Sequence, residues 1–566
     1  MIRSFSASLV CLLTLFLMVC LRFDLTAQES TWLKRFGGQE ENIVSSTVLT
    51  PAGDMVMTGS FIYGDGRMPL GNVTLKSEAP ADFRCGFIAK FNAEGQVIWG
   101  QVLRSNRFGS IEELVLDTNG NLYVIGRFHG ILVFGDQTYT ENSYSPRHFL
   151  AKYDASGKPL WLKYLPGELT AEAKLCIDKQ DNLYIACSQG KPSGNGIETR
   201  ALVLYKFDSN GALLQENLIA SVNPSNPAYI RDIIVDANQQ PIISGQFMNS
   251  MKIGDQLFEG RSMADCYLVK FNADGAVKWA RHVGKGERFS SIMDMTLDSR
   301  ENIYLAGRFA NKSDQIDLVL RINTEGEQTQ RFSVARNVDT FYMGGIAGSA
   351  IKISNKDQAI ILAGHFREKV AFGNIVLDSQ RGENEYDVFL TKINVKGEIT
   401  GVIQSNGDGT SSAINLGLTP TDHLYLVGHT LSSTFRFPNQ LATKPTSNWD
   451  IFLYKLHIKM LETAEESQPD PGNEAEPEPT EYQQVIIPNI FTPNGDTKNQ
   501  FFEIVHLDLS QNNTLVIFNR WGKQVYQSKS YQNNWEAEGL AEGTYYYVLY
   551  LEKESKYVKG WVSVVR

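Results

Sequence analysis

The chain has 566 residues, a formal net charge of −10, 11% aromatic residues and 47 glycines. Eight acids and four prolines, with no base, fall in 461–482, while 483–566 carries eight acids and eight bases. The charge therefore belongs largely to one segment, and no basic patch with interleaved aromatics points to nucleic acid.

Met1–Ala27 reads as a secretory signal peptide: Arg3 precedes an apolar stretch from Leu9 to Leu21, and cleavage is expected after Ala27. An uncleaved anchor is the alternative, and Val19 sits badly for a lipoprotein site at Cys20. No later segment is apolar enough over a sufficient length to cross a bilayer, so no transmembrane span is expected after cleavage. Cys85, Cys176, Cys187 and Cys266 remain. They read as small buried side chains, with a Cys176–Cys187 disulfide as the alternative.

From here a repeat takes over. Val44–Phe61, Ile111–Phe128, Glu172–Ser188, Ile230–Phe247, Ile292–Phe309, Ala350–Phe366 and Ser412–Thr430 each read as a strand, an Asp/Asn/Gly turn and a second strand. They close on Gly59, Gly126, Cys187, Gly245, Gly307, Gly364 and Gly428, a step of about 61 residues that overrides any domain count taken from length. A second hairpin follows in the first six units, as in GFIAKFNAEGQVIWGQV at 86–102 and CYLVKFNADGAVKWARH at 266–282. Between the hairpins, 68–77, 131–140, 251–260 and 370–379 predict small β-excursions.

The seventh unit has IFLYKL at 451–456 but no fourth strand after it. Thr31–Phe36 supplies one: its Trp32 matches Trp99, Trp161 and Trp279. The predicted fold is all-β: a seven-bladed β-propeller over 31–458 closed by the N-terminal strand, then a linker at 461–482 and a small β-sandwich at 483–566. An open solenoid is the rival architecture. The linker is rich in proline and like charge and has little to bury, so it reads as a spacer.

The repeats, with Asp-x-x-Gly/Asn-Asn-Leu-Tyr-Val-x-Gly and Phe-Leu-x-Lys-Phe/Tyr-Asp-x-x-Gly, resemble bacterial β-propeller repeats of the YVTN and SBBP groups. Such propellers host binding, adhesion and hydrolysis alike. The final segment resembles the gliding-motility-associated C-terminal domain, the type B sorting domain of the Bacteroidetes type IX secretion system. The motifs that carry this are Phe491-Thr492-Pro493-Asn494-Gly495-Asp496, then Ile517-Phe518-Asn519-Arg520-Trp521-Gly522, then Gly543-Thr544-Tyr545. The resemblance implies type IX secretion machinery as partner and release to the medium or outer cell surface. Thr497, Lys498, Asn499 and Gln500 depart from the family's usual continuation.

No nucleophile elbow, zinc-protease helix, phosphate loop or EF-hand is present, and the eight histidines lack ligand spacing. The chain therefore reads as a non-enzymatic binding or adhesion protein for a surface polysaccharide or envelope protein. The alternatives are an extracellular hydrolase or lyase acting on polysaccharide or peptide, and a structural part of a gliding or outer-membrane apparatus. The residue after each closing position, Ser60, Arg127, Ser188, Gln246, Arg308, His365 or His429, is a candidate ligand site, with Arg127, Gln246, Arg308, His365 and His429 as its candidate binding residues and ordinary pairing within the fold as the alternative. No cofactor is called for, although Asn494, Asp496 and Asn499 could hold Ca²⁺; an Asx turn explains the same residues. The shared tryptophans read as packing between units, with carbohydrate stacking as the alternative.

Overall fold

The computed structural model describes residues 31–461 and 487–566, apart from 38–39, 63–66, 78–82, 143–144, 170–172, 194–195, 224–225, 261–264, 288, 311–314, 334, 338–344, 355–358, 380–384, 439, 444–447, 489, 495–499, 505–506, 508–511 and 552–555. The expected leader and nearly all of the acidic linker lie outside these residues. The chain divides into two compact units, Met1–Glu466 and Ser467–Arg566.

Local chemistry explains the hairpins of the first unit. Asp117 Oδ1 accepts the backbone N–H groups of Asn119 and Asn121 at 3.0 and 2.8 Å, and Asp178, Asp236 and Asp298 repeat the pattern. A carboxylate that satisfies two turn donors fixes where one strand stops and the next begins. In the second hairpins Asn92, Asp154, Asp208, Asn323 and Asn394 do the same work. The lysine of the Lys-Phe/Tyr motif answers the first-hairpin acid. Lys90, Lys152 and Lys270 stand 3.1, 3.5 and 2.7 Å from Asp54, Asp117 and Asp236. The Lys270–Asp236 pair is buried on both sides.

Among the described residues seven antiparallel sheets follow the repeat. The first takes Asn42–Leu49, Met55–Ile62, Arg84–Phe91 and Val97–Val102 in that order, and the other six keep the same plan. The seventh is completed by Trp32–Phe36, which pairs antiparallel with Asp450–His457. The excursions form hairpins at 67–76, 130–141, 250–259 and 369–378. A further one at 434–443 in the seventh unit was not anticipated. In the third unit the two central strands run on into each other as the long hairpin Leu183–Ser193 and Gly196–Phe207.

The closing glycine has a steric cause. In six sheets the first strand carries an extra residue at the same place: Ser45, Glu112, Arg231, Met293, Ser349 and Ile414. Such a bulge turns the preceding carbonyl toward the neighbouring strand. A Cβ on Gly245 would lie 2.1 Å from the Tyr229 oxygen, and one on Gly364 would lie 2.0 Å from that of Ala347. In the third sheet the position is Cys187, and the first strand Lys174–Ile177 pairs only as far as Ala186 before it.

Neighbouring sheets are keyed together at their outer strands. Trp99 packs on Gly157 of the next unit, Trp161 on Gly211 and Trp279 on Gly326, while Trp32 packs on Gly95 of the first. The Trp279 indole also donates to the Thr324 carbonyl at 3.0 Å. At the inner edge the first strands lie side by side in chain order, and Ser411–Leu418 also lies against Asn42–Leu49. Between the sheets sit apolar clusters such as Phe36, Phe61, Phe87, Phe91, Val427 and Leu453, which draws on both the first and seventh sheets. Each fully buried side chain of this kind contributes about 1.5–3 kcal/mol. The four described cysteines are buried and unbonded, with Cys176 opposite Tyr184 in the ladder and not opposite Cys187.

The second unit departs from expectation. Instead of two packed sheets, its described residues make one five-stranded sheet ordered Ile490–Phe491, Lys556–Val564, Gly543–Leu551, Asn513–Phe518, Gln524–Lys529. The first pair is parallel. Its other layer is irregular chain whose aromatic residues Phe502, Tyr531 and Trp535 cover the sheet. Tyr531 donates to the Phe502 carbonyl at 2.6 Å and holds that cover in place.

Candidate functional site

The residues after the closing positions lie at equivalent points of the seven sheets, and in the second, fourth and sixth sheets the side chain meets the bulge residue of its own first strand. Most find a partner. Arg127 Nε is 2.7 Å from Glu112 Oε1, and His148 Nε2 is 3.7 Å from the other carboxylate oxygen. Burial pushes the His148 pKa down to about 3, with Arg127 and Arg147 adding to the effect. Gln246 accepts from the Arg231 guanidinium. Ser60 accepts from Arg84, which pairs with Glu41 at 2.7 Å.

His365 Nδ1 lies 3.2 Å from Ser349 Oγ, and its ring meets Tyr386 edge-on at 5.1 Å. His429 Nε2 accepts the Val44 N–H at 2.7 Å, joining the seventh sheet to the first. Burial lowers both histidines to about 4, so both are neutral at pH 7. Arg308 is buried over the Phe289 ring at 5.5 Å. The five predicted residues therefore divide: Arg127, Gln246 and His429 are held in separate local pairs, while Arg308 and His365 share Tyr386 as a neighbour. Glu112, Arg367 and Tyr386 were missed. A bulge shifts the alternation by one residue, so nothing in a single sequence marks Glu112 as the partner of Arg127.

A second cluster lies at the inner edge. Asp232 Oδ2 accepts the Met295 N–H at 2.8 Å and Asp294 Oδ2 accepts the Ile351 N–H at 2.7 Å, each reaching the first strand of the next sheet. Their other oxygens accept from Ile233 and Met295. Burial raises the Asp232 pKa well above the usual carboxylate value, with the Asp294 charge adding to it and Lys174 opposing it. Lys174 pairs instead with Glu113. Among the described residues no group of three His, Cys, Asp or Glu is placed to hold a metal ion.

In the second unit Phe491 is buried between Phe502 and Trp535, with ring centroids 5.9 and 5.3 Å away. Thr492, Pro493 and Asn494 follow it. Gly495, Asp496 and Asn499 lie outside the described residues, and with them most of the candidate Ca²⁺ set. Asn519 Oδ1 accepts from Trp521 and Lys523 at 3.1 and 3.0 Å, the same turn that the repeats use. Gly522 sits at φ 75° to complete it. This turn displays Trp521, 77% exposed, beneath the Arg520 guanidinium at 4.7 Å. Tyr545 is buried and donates to the Ala541 carbonyl at 2.7 Å, just beyond Gly543.

An uncharacterized WD repeat-containing protein of Acanthamoeba polyphaga mimivirus is 21% identical over 461 residues, covering 72% of this chain. The chain spans 31% of that relative's length. Among solved structures, PorZ, a surface component of the type IX secretion system of Porphyromonas gingivalis, matches at 9% identity and TM-score 0.32, over 93% of this chain and 82% of its own. A polysaccharide lyase of family PL25, an ulvan lyase, matches at 12% identity and TM-score 0.39, over 74% and 97%. At these scores neither structure bears on function. Among the described residues no helix is long and apolar enough to cross a membrane. Residues 485–564 match the CHU_C type IX secretion signal domain, and the chain is thus a substrate of type IX secretion, exported to the cell surface or medium.

Proposed function

We propose that this is an exported, non-enzymatic binding protein, with a signal peptide at 1–27, a β-propeller at 31–458, a spacer at 461–482 and a type B sorting domain at 483–566. Its ligand is a surface polysaccharide or an envelope protein. Closure of the seven sheets into a ring is supported by the Trp32–Phe36 strand in the seventh sheet and by the contact of Ser411–Leu418 with Asn42–Leu49.

One observation carries the binding reading. Four buried groups that could move protons are spent on the fold: both oxygens of Asp232 and of Asp294 accept backbone N–H groups, and His365 and His429 are held neutral with pKa values of about 4. A general base works best with a pKa near the operating pH. What remains on the ring is suited to recognition.

The test is incubation of the secreted chain with cell-envelope polysaccharide and protein fractions, followed by sedimentation and product analysis. Retention without any shortened or unsaturated sugar or cleaved peptide is expected. Turnover of any fraction overturns the reading in favour of a hydrolase or lyase.

A further inference from the structure

The repeat contains its own control for one residue. In the second sheet the arginine after the closing glycine, Arg127, meets a carboxylate at the bulge, Glu112. In the fourth sheet the bulge is Arg231 and the facing residue is the neutral acceptor Gln246. The fifth sheet has the arginine, Arg308, but its bulge is Met293, which is 43% exposed and offers no charge.

Arg308 is nonetheless only 6% exposed, and its buried Nε has no hydrogen-bond partner among the described residues. Its compensation is the Phe289 face at 5.5 Å, a modest attraction for a desolvated cation. A neighbouring positive charge adds to the cost. Burial, helped by the positive charge of Arg367 and opposed by Tyr386, lowers the Arg308 pKa to about 10. Arg367 stacks on Tyr386 at 5.9 Å, and the edge of His365 meets the same ring at 5.1 Å. Arg367, His365 and Tyr386 are all partly exposed, so this group connects the buried guanidinium's neighbourhood to solvent-accessible side chains. A desolvated cation that also feels a second cation is stabilised by a bound anion, and a planar guanidinium offers paired donors to an oxyanion.

We propose that Arg308 and Arg367, at the junction of the fifth and sixth sheets, bind a single oxyanionic group: a sulfate, phosphate or carboxylate, either free or carried on an acidic polymer. The polymer form rests on the binding reading above; the anion site itself does not.

The test uses the full chain, with thermal unfolding measured in sodium sulfate, phosphate and acetate against chloride at equal ionic strength, and with dextran sulfate and polygalacturonate against neutral dextran. Met293→Glu places a carboxylate where Glu112 stands in the second sheet. It is expected to be at least as stable as the parent without added anion and to lose at least four-fifths of the anion-specific rise in Tm. Arg308→Gln should lose the same response, while Arg127→Gln should keep it. No oxyanion-specific rise in the parent, or an undiminished rise in Met293→Glu, overturns the proposal. A response to the free anions alone identifies the small-anion source, and one to the acidic polymers as well identifies the polymer. If envelope material is retained equally by the parent and by Met293→Glu, this site is not the one that holds it, and the binding reading stands without it. If the parent retains none while its sulfate response is intact, the binding reading fails and the anion site stands.

Discussion

The backbone N–H of Val44 donates to Nε2 of His429 over 2.7 Å, across 385 positions of sequence. The bond fixes both the protonation state and the orientation of the imidazole, since an acceptor nitrogen must be unprotonated. His429→Ala leaves a part-buried donor without its acceptor, and the expected loss is about 1–3 kcal/mol by urea denaturation. A loss below about 0.5 kcal/mol, the level of an ordinary surface change, would show that water replaces the ring.

Acid should destabilise this fold earlier than its carboxylates alone would. His148, His365 and His429 have pKa values lowered to about 3, 4 and 4 by burial, against about 6.5 in an unfolded chain. The unfolded chain therefore takes up protons first as pH falls. The contribution of these groups is complete above about pH 6.5 and is lost progressively toward pH 4, on the order of 2–3 kcal/mol for each ring that stays shielded from water. Denaturant midpoints measured from pH 7.5 to pH 4.5 should fall along this course. In a variant with all three histidines changed to Gln the decline should be clearly shallower.

The turned-in carbonyl predicts that a closing glycine tolerates no side chain. Gly245→Ala sets a Cβ against the Tyr229 oxygen and the Tyr267 ring, and a loss of about 1–3 kcal/mol is expected from forced overpacking. Cys187 is buried and already carries a Cβ, so Cys187→Ala adds no atom and removes only the sulfur. Its effect on the unfolding midpoint should be less than half as large. Equal effects would mean that the glycine serves something other than the turned-in carbonyl.

This contrast also marks what a single sequence can carry. Turn acids, turn glycines and alternating runs are local, so the seven units, four of the excursions and the partner of Trp32–Phe36 could be read from residues alone. The excursion at 434–443 escaped because its sequence has Pro438-Asn439 where its relatives have Gly followed by Asn or Asp. The second layer of the C-terminal unit escaped for another reason. Phe502, Tyr531 and Trp535 cover the sheet from irregular chain, which has no period to detect. Candidate site residues were identifiable as equivalent positions, but their partners depended on the bulge, which breaks the alternation on which such a reading relies.

Export should depend on the last segment. Deleting 483–566 removes the region that matches the secretion signal domain, so the remaining chain should collect in the periplasm and vanish from the surface and medium when fractions are probed with an antibody to the repeats. The substitution Trp521→Ala separates recognition from folding. That side chain is 77% exposed, so its loss should change the stability of the unit by no more than about 0.5 kcal/mol. An export defect in a stably folded Trp521→Ala protein would assign the displayed indole to the secretion machinery.

Joining the ends of the first unit through a strand borrowed from the N-terminus makes one ion pair disproportionately important. Arg35 Nε lies 3.0 Å from Asp450 Oδ2, and the two side chains are 4% and 0% exposed. Arg35 comes from the first strand of the chain and Asp450 from the last strand of the repeat, so the pair forms only when Trp32–Phe36 docks. Arg35→Met leaves a desolvated carboxylate, and a loss of about 3–5 kcal/mol is expected. The double variant Arg35→Met, Asp450→Leu removes both charges and should recover most of that loss, because an apolar pair of similar volume is often as stable as a buried ion pair. If the double variant were no better than the single one, the pair would be holding the strand in register as well as neutralising it. Limited proteolysis would then release Thr31–Phe36 before any other strand.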